Sequence, residues 1–320
     1  MQATPNILFF YVDDMGYGDV SCLNPNGKIA TPNIDWLAAE GMVCHNAHST
    51  SAVCTPSRYG VLTGRYNWRS TLQQGIVRPY GDPLIDADRT TVASYLREHG
   101  YHTAAIGKWH LGMGWDFDVT DDFLPPHDYD HEPDEIMAEA TAEQQERWHE
   151  AFAKPVSGGP KRAGFDYSFG VDVPNWPPYC FIENGRTVGT PSEWLQPRLL
   201  GHNQASLQGP AMPYWNFEQL LPTFAHKTDR YLQARAEDGK PFFLYFAATS
   251  PHTPLAVNNK WVGASGLNNL YADLVVETDA VFGQILDALD RHGLADNTMV
   301  VFTSDNGCSP CVDMPQLNEQ

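Results

Sequence analysis

The chain has 320 residues, of which 42% are hydrophobic and 12% aromatic, enough for the core of one large α/β domain or two smaller ones. Its net charge of −19 opposes non-specific binding of nucleic acid, which depends on a basic surface. The sequence contains no run of 18 apolar residues and therefore predicts no membrane-spanning helix. Most of the 39 acidic residues are best explained by their contribution to solubility. Because the net charge is negative, an enzyme that acts on anionic esters would need a local cationic pocket.

Strands and helices alternate along the first third of the chain. An apolar run over 6–12 predicts a buried strand. A helix is expected to follow Cys54 and to begin near Pro56, because proline suits the first turn of a helix. Further helices are predicted over 31–41 and 91–99, and a further strand over 103–107.

The middle of the chain, residues 112–215, is less regular and contains many of the 24 prolines. It predicts long loops and short strands, with one helix over 134–153. Because loops of this length usually serve a site or insert a subdomain, we expect one α/β domain over 1–320 with a loop-rich insertion at about 112–215.

Regular alternation returns after the middle segment. Apolar runs predict strands over 242–248 and 298–304, and an amphipathic pattern predicts a helix over 270–289. This alternation favours an α/β fold in which a mostly parallel sheet is covered by helices on both faces.

Polar side chains follow several of the predicted strands. Because ligands gather at the carboxyl ends of strands in an open α/β sheet, these groups are expected to meet at one edge. Their oxygen atoms suit Ca²⁺ or Mg²⁺ and not zinc. Taken singly, an acidic pair is often a solvated turn, a lysine a surface residue and a histidine a structural group, so both interpretations stay open at this point. The groups are Asp13-Asp14, Lys108 with His110, His252, and Asp305-Asn306.

Six cysteines in a chain of this length do not form a disulfide scaffold. The pair Cys308-x-x-Cys311 has the spacing of a redox or metal motif, but no second pair at zinc spacing accompanies it, so free thiols or a local disulfide are expected. Residues 1–5 contain neither a basic stretch nor an apolar leader. Either the protein is cytoplasmic, or a leader has been removed and it is periplasmic or secreted.

The segment Cys54–Arg58, followed by Leu62-Thr63-Gly64, reads C-T-P-S-R-x-x-x-L-T-G. A lone cysteine would be taken as a buried small hydrophobe, but this one stands among several motifs. In chain order the motifs are D-D, C-T-P-S-R, G-K-W-H-L, S-P-H-T-P and S-D-N-G. Together they resemble the type I, formylglycine-dependent sulfatases of the alkaline phosphatase superfamily, and the likeness extends over essentially the whole chain.

The resemblance implies an alkaline-phosphatase-like α/β fold, an arylsulfatase-like activity and one divalent cation, usually Ca²⁺ and alternatively Mg²⁺. The cation would act as a Lewis acid and as a template for the sulfate ester. Its ligands would be Asp13, Asp14, Asp305, Asn306 and the modified Cys54.

The resemblance also assigns catalytic roles to cationic and titratable side chains. Arg58 would steady the formylglycine hydrate, and Lys108 would neutralise sulfate oxygens in the transition state. His252 would protonate the leaving alcohol oxygen. His110 would contact the formylglycine and assist collapse of the intermediate.

In this family the cysteine is oxidised to formylglycine by a formylglycine-generating or an anaerobic sulfatase-maturating enzyme. The hydrated aldehyde offers one hydroxyl that attacks sulfur and expels the alcohol. The second hydroxyl then loses its proton, which re-forms the aldehyde and expels sulfate. Neither serine nor unmodified Cys54 has that second hydroxyl, so the resemblance implies a maturation enzyme as a partner.

The chain departs from the family after the last motif. Sulfatases usually supply a second sulfate-binding lysine beyond S-D-N-G, and then a smaller C-terminal domain. No lysine lies beyond Asn306, and the sequence stops at Gln320. We therefore expect a truncated chain that lacks the small domain and full activity, and that exposes apolar surface where the small domain would pack.

Three functions remain open on the sequence. The first is hydrolysis of an aryl or carbohydrate sulfate ester, the second is phosphoester or phosphonate hydrolysis within the same superfamily, and the third is anion or partner binding by an inactive homologue. Arg78 is a weaker candidate for a substrate contact. Aromatic residues of the middle segment can stack on sugars or form core, and core is preferred. They are Trp176, Tyr179, Trp194, Tyr214 and Trp215.

Overall fold

The computed structural model describes residues 4–125, 136–201 and 203–309. Nine strands and seven α-helices lie within these ranges. The strands are β1 (Asn6–Asp13), β2 (His102–Lys108), β3 (Tyr167–Val171), β4 (Ile182–Glu183), β5 (Arg186–Thr187), β6 (Glu193–Trp194), β7 (Pro210–Ala211), β8 (Phe242–Pro251) and β9 (Thr298–Ser304). The helices are α1 (Pro32–Glu40), α2 (Cys54–Thr63), α3 (Val92–Glu98), α4 (Ala142–Phe152), α5 (Gly159–Arg162), α6 (Leu220–Asp238) and α7 (Leu270–Arg291).

Seven of the described strands form one sheet in the order β5-β4-β3-β2-β8-β1-β9. β1 runs parallel to both of its neighbours, β8 and β9, and β2 runs parallel to β8 and β3. The two-residue strands β4 and β5 are antiparallel and complete one edge. The prediction of a mostly parallel sheet is confirmed.

The central strands are continuous apolar runs because both of their faces are covered. Every residue of β8 is buried, and β1 is buried or half-buried throughout. Such runs are typical of parallel strands between two helical layers, whereas strands with one wet face alternate apolar and polar residues.

Alternate residues of β1 face two separate cores, which confirms the prediction of helices on both faces. Phe10 packs on the face that carries α1, α6 and α7, and its ring lies 4.6 Å from that of Phe246 and 4.9 Å from that of Phe282. Tyr11 packs on the opposite face, with Tyr59 of α2 and Ala93 of α3. Each such aromatic pair adds about 0.5–1.5 kcal/mol beyond its buried area.

One predicted helix start is wrong. α2 begins at Cys54, close to the predicted start near Pro56, and Pro56 lies in its first turn, where the N–H that proline lacks would be unpaired anyway. The helix predicted from 134 begins at Ala142, since Thr141 and Gln144 form a reciprocal cap: the side chain of each accepts a hydrogen bond from the other's backbone N–H. Positions 134 and 135 lie outside the described residues.

Among the elements that were not predicted individually from the sequence, β3 and α6 contact the central sheet. β3 joins the central sheet from within the irregular 112–215 segment. α6 packs against α7, β8 and β2 on the face that holds Phe10.

No helix in the described ranges is both long enough and apolar enough to cross a lipid bilayer. Cys22, Cys44, Cys54 and Cys180 are unpaired thiols. Cys311 lies outside the described residues, so the Cys308-x-x-Cys311 pair stays a sequence prediction.

Candidate active site

Three acidic side chains meet where β1 and β9 end. Carboxylate oxygens of Asp13, Asp14 and Asp305 all lie within 4.8 Å of one another. The backbone N–H of Asp14 donates a hydrogen bond to Asp305 Oδ1 at 3.1 Å, which ties the two strand ends together. Residues separated by nearly the whole chain form one cluster because β1 and β9 pair in parallel and end at the same edge.

Two buried cations lie against this acidic cluster. Lys108, the last residue of β2, donates from Nζ to Asp13 Oδ2 at 2.7 Å. Arg58 of α2 donates to Asp305 Oδ2 at 2.9 Å and forms an ion pair with Asp13 Oδ1 at 3.1 Å. The charged groups of both pairs are fully buried. Three carboxylates against two cations leave the cluster with one formal negative charge.

Burial and charge repulsion act together on the carboxyl groups. Burial raises the pKa of Asp305, and the adjacent carboxylate of Asp13 raises it further. Burial also disfavours the charged form of Asp13, but Lys108, His252 and Arg58 outweigh it and hold its pKa well below the usual range. A divalent cation would relieve the repulsion between these carboxylates.

Asn306 completes a set of oxygen donors. Its Nδ2 donates to Asp14 Oδ1 at 2.6 Å, whereas its Oδ1 is buried with no hydrogen-bond partner among the described residues. Leaving such an acceptor unpaired costs about 1–3 kcal/mol, so a bound partner is expected. Three carboxylates and one amide oxygen suit a hard cation such as Ca²⁺ or Mg²⁺, and the residues present therefore fit a cation of this kind.

Cys54 is the first residue of α2, at the positive end of the helix dipole. Its Sγ lies 3.1 Å from His110 Nδ1, and its side chain is buried. Burial raises the pKa of the Cys54 thiol to about 11, against the opposing effect of Lys108. The thiol is therefore protonated at neutral pH and is a poor nucleophile in this form.

His110 is held as a neutral ring in one tautomer. Burial, together with the charge of Lys108, lowers its pKa well below the usual range. Its Nε2 lies 3.2 Å from the carbonyl oxygen of Val77, which can only accept, so Nε2 carries the proton. Nδ1 is then an acceptor that faces Cys54, and it can take a proton from the group at that position.

His252 directly follows β8 and lies beside Asp14 of the acidic cluster. Its Nδ1 lies 2.5 Å from the carbonyl oxygen of Thr253, which can only accept, so Nδ1 donates the hydrogen bond. Its Nε2 lies 3.7 Å from Asp14 Oδ2. The backbone N–H of His252 donates to the carbonyl of Asp13 at 3.1 Å, which fixes the ring beside the cluster.

Unusual backbone conformations concentrate at this edge of the sheet. Asp14 and His110 have positive φ angles of 62° and 55°. Gly107 has a φ of 116°, and a Cβ there would lie 1.8 Å from the carbonyl oxygen of Ala247. Left-handed backbone at non-glycine residues costs about 1–3 kcal/mol and is often retained where it positions functional groups.

Asp172 was missed in the sequence because its strand, β3, was not predicted. It follows β3, and its backbone carbonyl accepts a hydrogen bond from the N–H of His110 at 3.0 Å. Burial raises the pKa of Asp172 to about 7, although His110 and Lys108 oppose the shift. Recognising the short apolar run over 167–171 as a strand would have placed an acid at this edge.

The remaining sequence candidates are Arg78 and five aromatic residues of the middle segment. Arg78 is exposed and directly follows Val77, the residue that accepts from His110. Of the five middle-segment aromatics, only Tyr214 is exposed, and the core interpretation holds for the other four. Trp176 is one of these, and its ring packs edge-on against His110 with centroids 5.6 Å apart.

Residues 5–312 match the sulfatase family. The chain is 32% identical to an N-acetylgalactosamine-6-O-sulfatase of Bacteroides thetaiotaomicron over 97% of its length, and 32% identical to human arylsulfatase A over 95%. A solved structure from work on glycosaminoglycan metabolism by Bacteroides thetaiotaomicron covers 99% of the chain, with a TM-score of 0.80 and 30% identity.

The parallel sheet and the buried cluster of acids and cations at its edge define an α/β protein with a charged site at the carboxyl ends of its strands. The chain belongs to the sulfatase family. It spans 60% of the length of the bacterial relative, 52% of arylsulfatase A and 66% of the solved chain.

Proposed function

We propose that this chain carries the catalytic centre of a sulfuric ester hydrolase, which splits a sulfate ester into an alcohol and inorganic sulfate. One observation carries the proposal: Cys54 starts α2 in contact with a neutral His110, beside two buried cations and three carboxylates. Membership of the sulfatase family supports the reaction class. The name of the N-acetylgalactosamine-6-O-sulfatase relative supports a carbohydrate sulfate as substrate.

We propose that Cys54 is converted to formylglycine by a separate maturation enzyme. A buried thiol with a pKa of about 11 is a poor nucleophile, which supports the need for conversion. The hydrated aldehyde supplies a hydroxyl nucleophile and a second hydroxyl that permits release of sulfate.

Asp13, Asp14, Asp305 and Asn306, with the modified residue 54, would hold the cation. When bound, Ca²⁺ or Mg²⁺ supplies Lewis-acid stabilisation of the sulfate oxygens. The family's usual Ca²⁺ is our first choice, and the oxygen-only set of side chains in the acidic cluster supports it.

The other side chains of the site have separate roles, which depend on where each one lies. Arg58 and the N-terminus of α2 favour negative charge next to residue 54, and Lys108 provides a charge-assisted donor for sulfate oxygens. His110 accepts a proton at Nδ1 from the group at position 54. His252 directs Nε2 to the cluster, and its doubly protonated form donates the Nε2 proton to the leaving oxygen while Nδ1–H stays bonded to the carbonyl of Thr253.

We also propose that residues 1–320 form one catalytic domain in which 112–215 is a loop-rich insertion. Asp172 and Trp176 belong to that segment and lie beside His110, which supports a role for the insertion at the edge of the site.

The mass of the peptide that contains Cys54 tests the modification. In protein from its native host, conversion to formylglycine lowers the peptide mass by about 18 Da, since oxygen replaces sulfur and two hydrogens are lost. An intact thiol in that sample would contradict the proposal.

Turnover of 4-nitrophenyl sulfate and 4-nitrophenyl phosphate by the matured protein separates the two hydrolase hypotheses. We expect the sulfate to be the better substrate and Cys54→Ala to abolish its turnover. A preference for the phosphate would select the phosphoester alternative, and turnover of neither ester would select the non-catalytic one.

A further inference from the structure

Asp172 presents a buried acceptor at the edge of the proposed catalytic centre. β2 and β3 pair in parallel with Lys108 opposite Val171, so Asp172 stands one residue past the end of its strand, beside the lysine. The residue is only 6% exposed, and its Oδ1 has no hydrogen-bond partner within residues 4–125, 136–201 and 203–309.

The segment that carries Asp172 forms a wall next to the nucleophile position. Trp176 packs edge-on against the His110 ring, and that ring contacts Cys54 at 3.1 Å. Asn175, between them, anchors the segment by donating from Nδ2 to Ser206 Oγ at 2.7 Å. Its Oδ1 is a second buried acceptor with no partner among the described residues.

Of the two halves of a sulfate ester, only the alcohol half can donate a hydrogen bond to a buried acceptor beside the anion site. The sulfate group carries no hydrogen-bond donor, and a carboxylate repels it. An aryl group such as nitrophenyl has no donor either. The alcohol half of a sugar sulfate does, because its ring hydroxyls and any acetamido N–H can donate. Leaving a buried acceptor unpaired is costly, so a substrate that pairs it is strongly favoured over one that does not.

We propose that the carboxyl group of Asp172 accepts a hydrogen bond from a hydroxyl or amide N–H of the leaving alcohol, and that this contact selects carbohydrate sulfates over simple aryl sulfates. The inference rests on the proposed sulfatase function and adds a specificity residue to it. Asn175 anchors the same segment, and Asp172 is the residue that accepts the hydrogen bond from the substrate.

The test measures kcat/KM of the matured protein, with Ca²⁺ bound, for N-acetylgalactosamine 6-sulfate, other monosaccharide sulfates and 4-nitrophenyl sulfate. For the best sugar sulfate, measured at pH 8 where Asp172 is ionised, Asp172→Asn should lower kcat/KM by about 10-fold, because a neutral amide oxygen replaces the charged acceptor. The loss for 4-nitrophenyl sulfate should be at least ~10-fold smaller, because that substrate has no donor to lose. Asp279→Asn is the matched control, since Asp279 is a buried carboxylate that caps α1 away from the site.

Monodeoxy analogues of the same sugar sulfate give a second measurement that does not depend on folding of the variant. Wild-type protein should lose ~10- to 100-fold in kcat/KM for the analogue that lacks the contacted donor, and Asp172→Asn should show no further loss with it. Equal losses of Asp172→Asn on sugar and aryl substrates, or wild-type turnover of aryl sulfates alone, would overturn the inference and leave the sulfatase function standing. Turnover of no sulfate ester at all would overturn both.

Discussion

The four groups that would hold the cation differ in how their charge is compensated. Asp13 is ion-paired with both Arg58 and Lys108, whereas Asp14 contacts Asn306 and lies 3.7 Å from His252. Removing Asp13 would leave the buried Lys108 without its carboxylate partner and Arg58 with Asp305 alone, at a cost of about 3–5 kcal/mol. Asp14 is therefore the position at which cation binding can be tested with the least disturbance of the fold.

We predict that Ca²⁺ stabilises the chain through Asp14. At a concentration about 100 times its dissociation constant, Ca²⁺ should raise the free energy of unfolding by about 2.7 kcal/mol relative to chelator, or Tm by about 5 °C. Asp14→Ala should abolish this difference in thermal unfolding. The exposed Asp88→Ala should retain it, and a Ca²⁺ effect that survives in Asp14→Ala would refute the proposed site.

A second prediction concerns proton donation by His252. His252→Gln should slow hydrolysis of a sugar sulfate by about 10²- to 10⁴-fold, because the alkoxide of a sugar is a poor leaving group without a proton. Nitrophenolate leaves readily as an anion, so 4-nitrophenyl sulfate should lose less than ~10-fold. The exposed His226→Gln on α6 serves as the control and should leave both rates unchanged. Equal losses on the two substrates would assign His252 a different role.

At the scale of elements, α7 carries a buried acid that is unrelated to the site. Glu277 is 1% exposed and accepts a hydrogen bond from the backbone N–H of Asn258 at 2.9 Å. Burial raises its pKa from 4.5 to about 7, with a further contribution from Glu218. Between these values the folded chain binds more protons than the unfolded chain, so this group lowers stability as pH rises through that window.

We predict that Glu277→Gln stabilises the chain at pH 8 and has little effect at pH 5. The amide keeps an acceptor for Asn258 but has no charge to bury, so the gain should grow across pH 5–7 to about 2 kcal/mol. Denaturant unfolding at both pH values measures it. The exposed Asp287→Asn on the same helix is the control, and an equal effect of Glu277→Gln at both pH values would contradict the assignment.

The sequence predicted elements well where one pattern dominated. β9 has its predicted bounds, and β1 and β8 only extend the predicted runs, because buried parallel strands are continuous apolar segments. β3 is five residues long within a proline-rich segment, so no periodicity separates it from a loop, and Asp172 was lost with it. The motifs named the acids and cations that the structure brings together at one edge of the sheet. The tautomer of His110 and the pairing of Lys108 with Asp13 depend on packing and could not be predicted from motifs.

Over the whole molecule, an acidic surface encloses a site proposed to bind anions. The net charge of −19 repels anionic substrates at a distance, and the buried Arg58 and Lys108 act only at short range. We predict that kcat/KM for a sulfate ester rises about two- to tenfold between ~0.01 and 0.15 M salt, because the Debye length falls from about 30 to 8 Å. The rise should be larger for a disulfated substrate than for a monosulfated one.

Constant Ca²⁺ during this measurement separates screening from cation loss. A fall of kcat/KM with rising salt concentration would show that the buried cations Arg58 and Lys108, and not the acidic surface, govern the approach of the substrate.

The parallel pairing of β1 with β9 also sets an order of events during synthesis. The acidic cluster is complete only when Asp305 has been synthesised. Cys54 leaves the ribosome about 250 residues earlier, which is on the order of ten seconds or more at ~5–20 residues per second. Until β9 arrives, β1 lacks a neighbour and the Cys54 segment lacks its contact between Arg58 and Asp305. That interval is the time in which the proposed maturation enzyme would reach a thiol that the finished fold buries.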